Sequence, residues 1–234
     1  MIAPDGRSVA VMRIDVISGH FERSLRRDRG SDDKYGVEVR TAIWSLGVGD
    51  SKLRPLTAWS RRAFLQPSSF SPDGSDLAAT EWRGIRPVAI SIDLSTRRTR
   101  VLADNAKAPV YAPDGKVAIV HDHLGPKEGV EEERDLCSST LLVVPADGGR
   151  PRPLVRVRHG LISPSWDPSG QRIAFTRLNG FPPVKSPLFP RPNSIAEVNA
   201  DGSCLTTVVK LAEGYFAGSV WQPGPGREAG RIAC

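Results

Sequence analysis

Short apolar stretches alternate with turn residues along the chain, and one segment with this pattern recurs. It reads SFSPDGSDLAATEW from Ser69 to Trp82, and related phrases begin at Ala3, Ala112 and Asp167. In most copies a proline occupies a turn position that needs φ of about −65°, and a glycine follows where positive φ is favoured. No stretch keeps an apolar period of about 3.6 residues over three turns, so the pattern predicts strands joined by tight turns.

The recurring turns divide the chain into similar units. They contain the glycines Gly6, Gly74, Gly115 and Gly170. Successive members of this set lie 68, 41 and 55 residues apart, and a degenerate fifth copy occupies residues 221–227. Each unit has an apolar piece before the turn, a second one after it, and two further strands separated by another turn. An interval of 41 residues is close to the length of a four-stranded propeller blade.

Such a sheet leaves apolar faces and edges exposed when it stands alone, and radial stacking of several sheets buries them. We therefore predict an all-β fold, a β-propeller of four-stranded antiparallel blades with about four blades plus a partial one. One domain is expected over residues 1–234. Its blades are placed at residues 1–59, 66–105, 106–160 and 161–214, and residues 215–234 form a partial blade or a closing strand.

The repeated sequence motif resembles that of a known protein family. The clearest copies are SPSWDPSGQRIAFTR with IAEVNADGS, and PVYAPDGKVAIV with LLVVPADGGRPRPLV. This repeat pattern resembles that of the TolB-like, WD-repeat-like β-propeller family over residues 3–221. The first unit also resembles the opening propeller blade of prolyl-oligopeptidase-type peptidases, which carry a separate hydrolase domain. The resemblance implies a fold and leaves the function open.

Two interpretations of the ring remain open at this point. The stretch GSVWQ, residues 218–222, supplies an extra innermost strand that would complete the first blade and remove exposed edges. The alternative is an incomplete ring cut from a longer protein, which the usual six or more blades of the family favour.

Composition and charge narrow the classes of function. The net charge is +6 with an isoelectric point near 9.5, and aromatic residues make up 6% of the chain. No basic stripe follows a helix, so we expect no nucleic-acid partner. No apolar run approaches the ~18 residues of a membrane span.

The cysteines and the first residues bear on the cellular compartment without deciding it. Cys137, Cys204 and Cys234 form no CxxC motif, so the count fits free thiols or one bridge with a spare. The opening residues show no signal peptide. The compartment stays unassigned, and the family resemblance suggests a periplasmic or secreted origin if the N-terminus is truncated.

Three insertions between the second and third strands of their units are the candidate binding elements. They span residues 15–36, 122–138 and 178–193, and an antiparallel blade places them on one face of the disc. The candidate partner-binding residues are Arg26, Arg27, His123, Glu131, Glu132, Glu133, Phe181, Leu188 and Phe189. As tolerated, solvated insertions they would need no ligand, and that alternative stays open.

Catalytic chemistry finds no support in the motifs. The chain lacks G-x-S-x-G, H-E-x-x-H and P-loop patterns. His121 and His123 would point to the same side of a strand, which zinc can use, but no further ligand is evident. We predict no catalytic, cofactor-binding or metal-binding residues. The expected function is a non-enzymatic scaffold that binds a protein or peptide; the alternative is the propeller domain of a prolyl-oligopeptidase-like peptidase that lacks its hydrolase domain.

Overall fold

The computed structural model describes residues 2–19, 37–61, 63–84, 86–127, 130–146, 148–178 and 192–210. In these ranges the protein consists of fifteen strands in four antiparallel sheets. No helix in these ranges is long and apolar enough to cross a membrane. The all-β prediction is confirmed.

Each sheet is a meander whose strands follow one another in space as they do along the chain. Blade one contains β1 (Ser8–Gly19), β2 (Val37–Gly47) and β3 (Leu53–Pro55). Blade two contains β4 (Phe64–Phe70), β5 (Asp76–Arg83), β6 (Arg86–Asp93) and β7 (Thr99–Asp104). Blade three contains β8 (Ala106–Tyr111), β9 (Val117–Lys127), β10 (Val130–Val144) and β11 (Arg152–Arg158). Blade four contains β12 (Leu161–Trp166), β13 (Arg172–Leu178), β14 (Pro192–Asn199) and β15 (Thr206–Lys210).

In blades two, three and four, the recurring turn connects the innermost strand to the second strand of the same blade. These turns lie at the same end of the blades. Gly74 and Gly115 have φ of 73° and 85°, in the left-handed region that glycine adopts without steric cost. Their amides close the turns by donating to the carbonyl oxygens of Ser71 and Ala112, both at 3.0 Å. The turns formed as predicted because their geometry depends only on neighbouring residues.

Three apolar clusters join consecutive blades. Blades one and two share a cluster that includes Ile43 and Leu77, and blades two and three share one that includes Ala89 and Ile119. The cluster between blades three and four is built around Phe175, which has no exposed surface. Within the described ranges, none of the three clusters joins blade four to blade one, which is consistent with an incomplete ring.

Bulges in the innermost strands turn backbone groups toward the neighbouring blade. The register of β8 shifts between Lys107 and Val110, where Ala108 has φ of 50°. The Ala108 amide donates to Thr80 Oγ1 of blade two at 2.9 Å. Tyr111 N likewise donates to Ser69 Oγ at 2.7 Å. These two hydrogen bonds add to the apolar cluster that blades two and three share, and the first of them comes from the bulge itself.

Two sequence expectations have specific outcomes here. Cys204 is disulfide-bonded, which decides between free thiols and a bridge for this residue. Within the described ranges blade one has three strands and β1 is its edge. The predicted closing strand at residues 215–234 lies outside the described residues.

Candidate functional site

A groove opens at the tight-turn end of the blades, where the innermost strands converge. Its volume is about 430 Å³. Blades two, three and four each contribute the same triplet, an aromatic residue, a small or acidic residue, and a proline. The lining residues are Pro4, Phe70, Ser71, Pro72, Val110, Tyr111, Ala112, Pro113, Ser165, Trp166, Asp167 and Pro168.

Hydrogen bonds between blades hold two of the aromatic rings in place. Trp166 Nε1 donates to the carbonyl oxygen of Val110 in blade three at 3.0 Å. The Tyr111 hydroxyl lies 2.9 Å from Ser91 Oγ in blade two. Burial raises the pKa of Tyr111 above its usual value, so the phenol stays neutral at physiological pH. Tyr111 and Trp166 are therefore each held by a hydrogen bond to the neighbouring blade.

Acidic and hydroxyl groups of the lining are paired within their own turns. Asp167 is fully buried and accepts hydrogen bonds from Ser169 Oγ at 2.7 Å and from Gln171 N at 2.8 Å. Ser71 Oγ donates to Asp73 Oδ1 at 2.6 Å. The surface that these turns present to the groove is consequently made mostly of proline and aromatic carbon.

Carboxylates stand at the rim of the groove, each directly after a lining proline. Asp5, Asp73 and Asp114 are all exposed. Hydrogen bonds from Ser71 and then Ser75 lower the pKa of Asp73 to about 2, so this carboxylate is ionised under physiological conditions. Asp114 forms an ion pair with Lys116 at 2.6 Å. Since Lys116 offsets the charge of Asp114, the negative charge at the rim comes from Asp5 and Asp73.

Five of the nine predicted binding residues lie outside the described residues: Arg26, Arg27, Phe181, Leu188 and Phe189. Strand β10 includes Glu131, Glu132 and Glu133, which lie at a register shift between Val130 and Arg134. His123 is half-buried on β9.

The blade-three insertion is mostly strand where the sequence suggested a loop. Strands β9 and β10 continue to Lys127 and Val130, and Leu124 still faces Leu136 within the insertion. The ladder extends because pairing satisfies backbone groups that a loop would leave to water. The candidate acids Glu131–Glu133 therefore lie on a projecting hairpin.

The two histidines of β9 lie on the same side of the strand. Their ring centroids are 4.7 Å apart and the rings are tilted by 59°. His121 Nε2 lies 3.0 Å from Asn105 Nδ2, and His123 Nε2 lies 2.8 Å from Thr140 Oγ1. Burial lowers the pKa of His123, and the neighbouring His121 lowers it further, so the ring is neutral at pH 7. Across the described ranges, no three His, Cys, Asp or Glu side chains gather into a group able to hold a metal ion.

The opposite side of β9 carries a polar cluster that sequence reasoning did not single out. Asp122 accepts a hydrogen bond from Ser139 Oγ at 2.6 Å and forms an ion pair with Lys107. Ser139 has no exposed surface. These partners satisfy one another inside the sheet, so the cluster reads as structural pairing.

The groove was also missed from the sequence, although a signal for it exists. The triplets ending in Pro72, Pro113 and Pro168 repeat in register with the turns. The repetition alone does not show that the triplets of different blades line one groove. That follows only once the innermost strands are known to converge.

Comparison with known proteins places the fold. No known family profile matches the chain. The Tol-Pal system protein TolB of Alkalilimnicola ehrlichii is 39% identical over 51 residues, which is 22% of this chain and 12% of that protein. The structure of a putative TolB from Agrobacterium tumefaciens superposes with a TM-score of 0.61 and 18% identity, covering 92% of this chain and 65% of the other.

A second group of similar structures consists of peptidases. The acylaminoacyl peptidase of Pyrococcus horikoshii superposes with a TM-score of 0.53 and 14% identity, covering 87% of this chain and 31% of the peptidase. The chain therefore spans less than two thirds of the TolB proteins and a smaller part of the peptidase. The resemblance inferred from the repeats is confirmed: the chain has a TolB-like β-propeller fold.

Proposed function

We propose that this chain is a non-enzymatic β-propeller that binds a peptide segment of a partner protein in the tight-turn groove. The observation that carries the proposal is the wall formed by Phe70, Tyr111 and Trp166 with the prolines beside them. Open grooves lined by aromatic carbon, with few convergent polar groups, are the usual form of a peptide or small-molecule site. The absence of catalytic sequence motifs supports binding over chemistry.

The rim charge indicates which peptide would fit. Asp5 and Asp73 place carboxylates next to Pro4 and Pro72, and the low pKa of Asp73 keeps its charge permanent. A segment with one large apolar side chain flanked by lysine or arginine would bury the apolar group and pair its cations at the rim. Such charge complementarity contributes mainly to specificity and association rate.

A pair of synthetic peptides tests the proposal directly. One labelled peptide carries a tryptophan between two lysines, and the other carries the same tryptophan between two glutamates. Fluorescence anisotropy on the full chain is expected to show tighter binding of the lysine peptide by about tenfold or more. Equal affinity for the two peptides would contradict the assigned rim charge, and no binding of either would contradict the groove.

Matched proline variants locate the site. Pro113 is exposed in the groove, whereas Pro145 lies in the outer turn between β10 and β11 of the same blade. Pro113→Lys is expected to weaken binding by about tenfold or more, because the ammonium repels the basic peptide and covers the wall. Pro145→Lys should leave the affinity unchanged.

The insertion of blade three, which the sequence predicted to bind a partner, is the alternative location of the binding site. The triple variant Glu131→Lys, Glu132→Lys and Glu133→Lys reverses the charge of the projecting hairpin. Binding that falls in this variant and persists in Pro113→Lys would move the site to the insertion-bearing end, where the sequence predicted it.

A second candidate function rests on the first blade. Its resemblance to peptidase propellers suggests a domain that controls access to a separate hydrolase domain. The coding sequence around this chain decides the matter: an in-frame hydrolase domain supports the candidate, and its absence removes it.

The cellular compartment belongs to the same proposal. Cys204 is disulfide-bonded, and disulfides persist in oxidising compartments. This bond and the TolB resemblance support a periplasmic or secreted location. Alkylation of the native protein before reduction should leave Cys204 unlabelled in mass spectrometry; complete labelling would contradict the assignment.

A further inference from the structure

The geometry points to a two-histidine site for a divalent transition-metal ion of the zinc class, held by His121 and His123 on the insertion-bearing end of blade three. This site is independent of the peptide groove at the opposite end. Water completes the coordination, since the described residues offer no third ligand.

The separation of the rings suits a shared ion. Zinc–nitrogen bonds of about 2.0–2.1 Å in tetrahedral geometry place two ligating imidazole centroids roughly 5 Å apart. The centroids of His121 and His123 lie 4.7 Å apart. The separation of the centroids is therefore compatible with one ion shared by the two rings.

Hydrogen bonds already hold the far nitrogen of each ring. Asn105 contacts Nε2 of His121, and Thr140 contacts Nε2 of His123. No hydrogen bond to either Nδ1 exists among the described residues, so Nδ1 is the available ligand atom in both rings. Metal-ligating histidines characteristically donate their other N–H to such a partner. Thr140 can accept that proton, and Asn105 can do so by presenting Oδ1 in place of Nδ2.

The position of the pair leaves room for an ion. Blade two turns back early, since β5 ends at Arg83 and β6 begins at Arg86, whereas β9 extends to Lys127. Blade three therefore projects past its neighbour on the side where the histidines lie. Both imidazoles are half-buried rather than enclosed.

The charged side chains near the histidines have other partners. Arg156 Nε donates to the neutral hydroxyl of Ser138 at 2.9 Å, so its guanidinium keeps a positive charge that weakens the attraction for a cation. Asp122 pairs with Lys107 on the other side of the strand. Because only two protein ligands are present, we expect far weaker binding than that of a closed four-ligand site.

Metal titration of the full chain tests the site. Free thiols are alkylated first, so that cysteine ligands do not compete. Isothermal titration with Zn²⁺ should show one site, and Cu²⁺ bound to the same protein should show nitrogen coupling in its electron paramagnetic resonance spectrum. His121→Ala and His123→Ala should each weaken binding by about tenfold or more. His159→Asn, in the turn before β12, is the matched control and should retain full affinity.

Variants of Asn105 separate ligation from a structural role. Asn105→Asp offers a carboxylate to His121 and should tighten Zn²⁺ binding, whereas Asn105→Ala should weaken it by about tenfold. A purely structural asparagine would give no gain on changing to aspartate. The proposal is overturned if the wild type binds no Zn²⁺, or if the double variant of His121 and His123 binds as well as the wild type.

Discussion

Two tryptophans on different blades show what a neighbouring blade contributes. Trp166 of blade four is 7% exposed and donates its indole N–H to the carbonyl oxygen of Val110 in blade three. Trp44 of blade one is half-buried, and its Nε1 is shielded from solvent without a hydrogen-bond partner among the described residues. One indole has an acceptor from the neighbouring blade, and the other has none among the described residues.

The difference follows from the side of the sheet that each residue occupies. Ile43 packs against blade two, so Trp44, the next residue along β2, lies on the face turned away from it. There the Trp44 ring meets the Arg13 guanidinium at 5.0 Å and the edge of Trp59 at 5.9 Å. Cation–π and aromatic contacts stabilise the ring but give its N–H no acceptor.

The largest expected effect lies at the junction of blades three and four. Phe175→Ala removes a side chain with no exposed surface from the shared cluster. Loss of burial and the cavity left behind should reduce the free energy of unfolding by about 3–5 kcal/mol. Urea unfolding followed by tryptophan fluorescence measures this change. Ile14→Ala on blade one, where the side chain is 48% exposed, is the control, and equal losses in both variants would contradict the assigned junction.

The hydrogen bond of Trp166 should contribute a smaller amount. Trp166→Phe keeps an aromatic ring in place but removes the donor to Val110. We expect the free energy of unfolding to fall by about 1 kcal/mol, because the carbonyl oxygen of the half-buried Val110 loses this donor. Thermal and urea unfolding provide the measurement. A change no larger than that of Trp44→Phe would mean that the blade junction does not depend on this bond.

Acid should lower the free energy of unfolding through blade two, which lies between blade one and the junction of blades three and four. The pKa values of Asp73 and Asp93 are both about 2 in the folded protein, against 3.8 without these contacts. Because the folded values are depressed, their stabilisation is complete above about pH 4 and is lost as the pH falls towards 2. Urea midpoints measured from pH 5 to pH 2.5 should fall less steeply in Asp73→Asn than in the wild type. Parallel slopes would refute the assignment for Asp73.

The smallest effect is expected on the free face of blade one. Trp44→Phe removes an N–H that has no described acceptor and keeps a ring beside Arg13. The free energy of unfolding should change by less than about 0.5 kcal/mol, or the protein should become slightly more stable. A loss as large as that of Trp166→Phe would show that Trp44 has an acceptor outside the described residues.

Sequence reasoning succeeded where a feature depends on near neighbours. The turns at Gly74 and Gly115 and the strands beside them follow from local φ preferences and short apolar pieces. It failed for the insertion of blade three, where pairing of β9 with β10 extended the ladder through residues that resemble a polar loop. It also left the cysteines undecided, because spacing does not reveal which thiols meet in space.

The sequence by itself determined the repeating strand units, the tight turns and the placement of His121 and His123 on one side of a strand. Only the tertiary structure decided that the aromatic–proline triplets of separate blades line one groove, and that Asn105 and Thr140 orient the two imidazoles. The physical reason is range. A turn or a strand period is set by residues a few positions apart, whereas Trp166 finds its acceptor at Val110 only after the sheets have packed face to face.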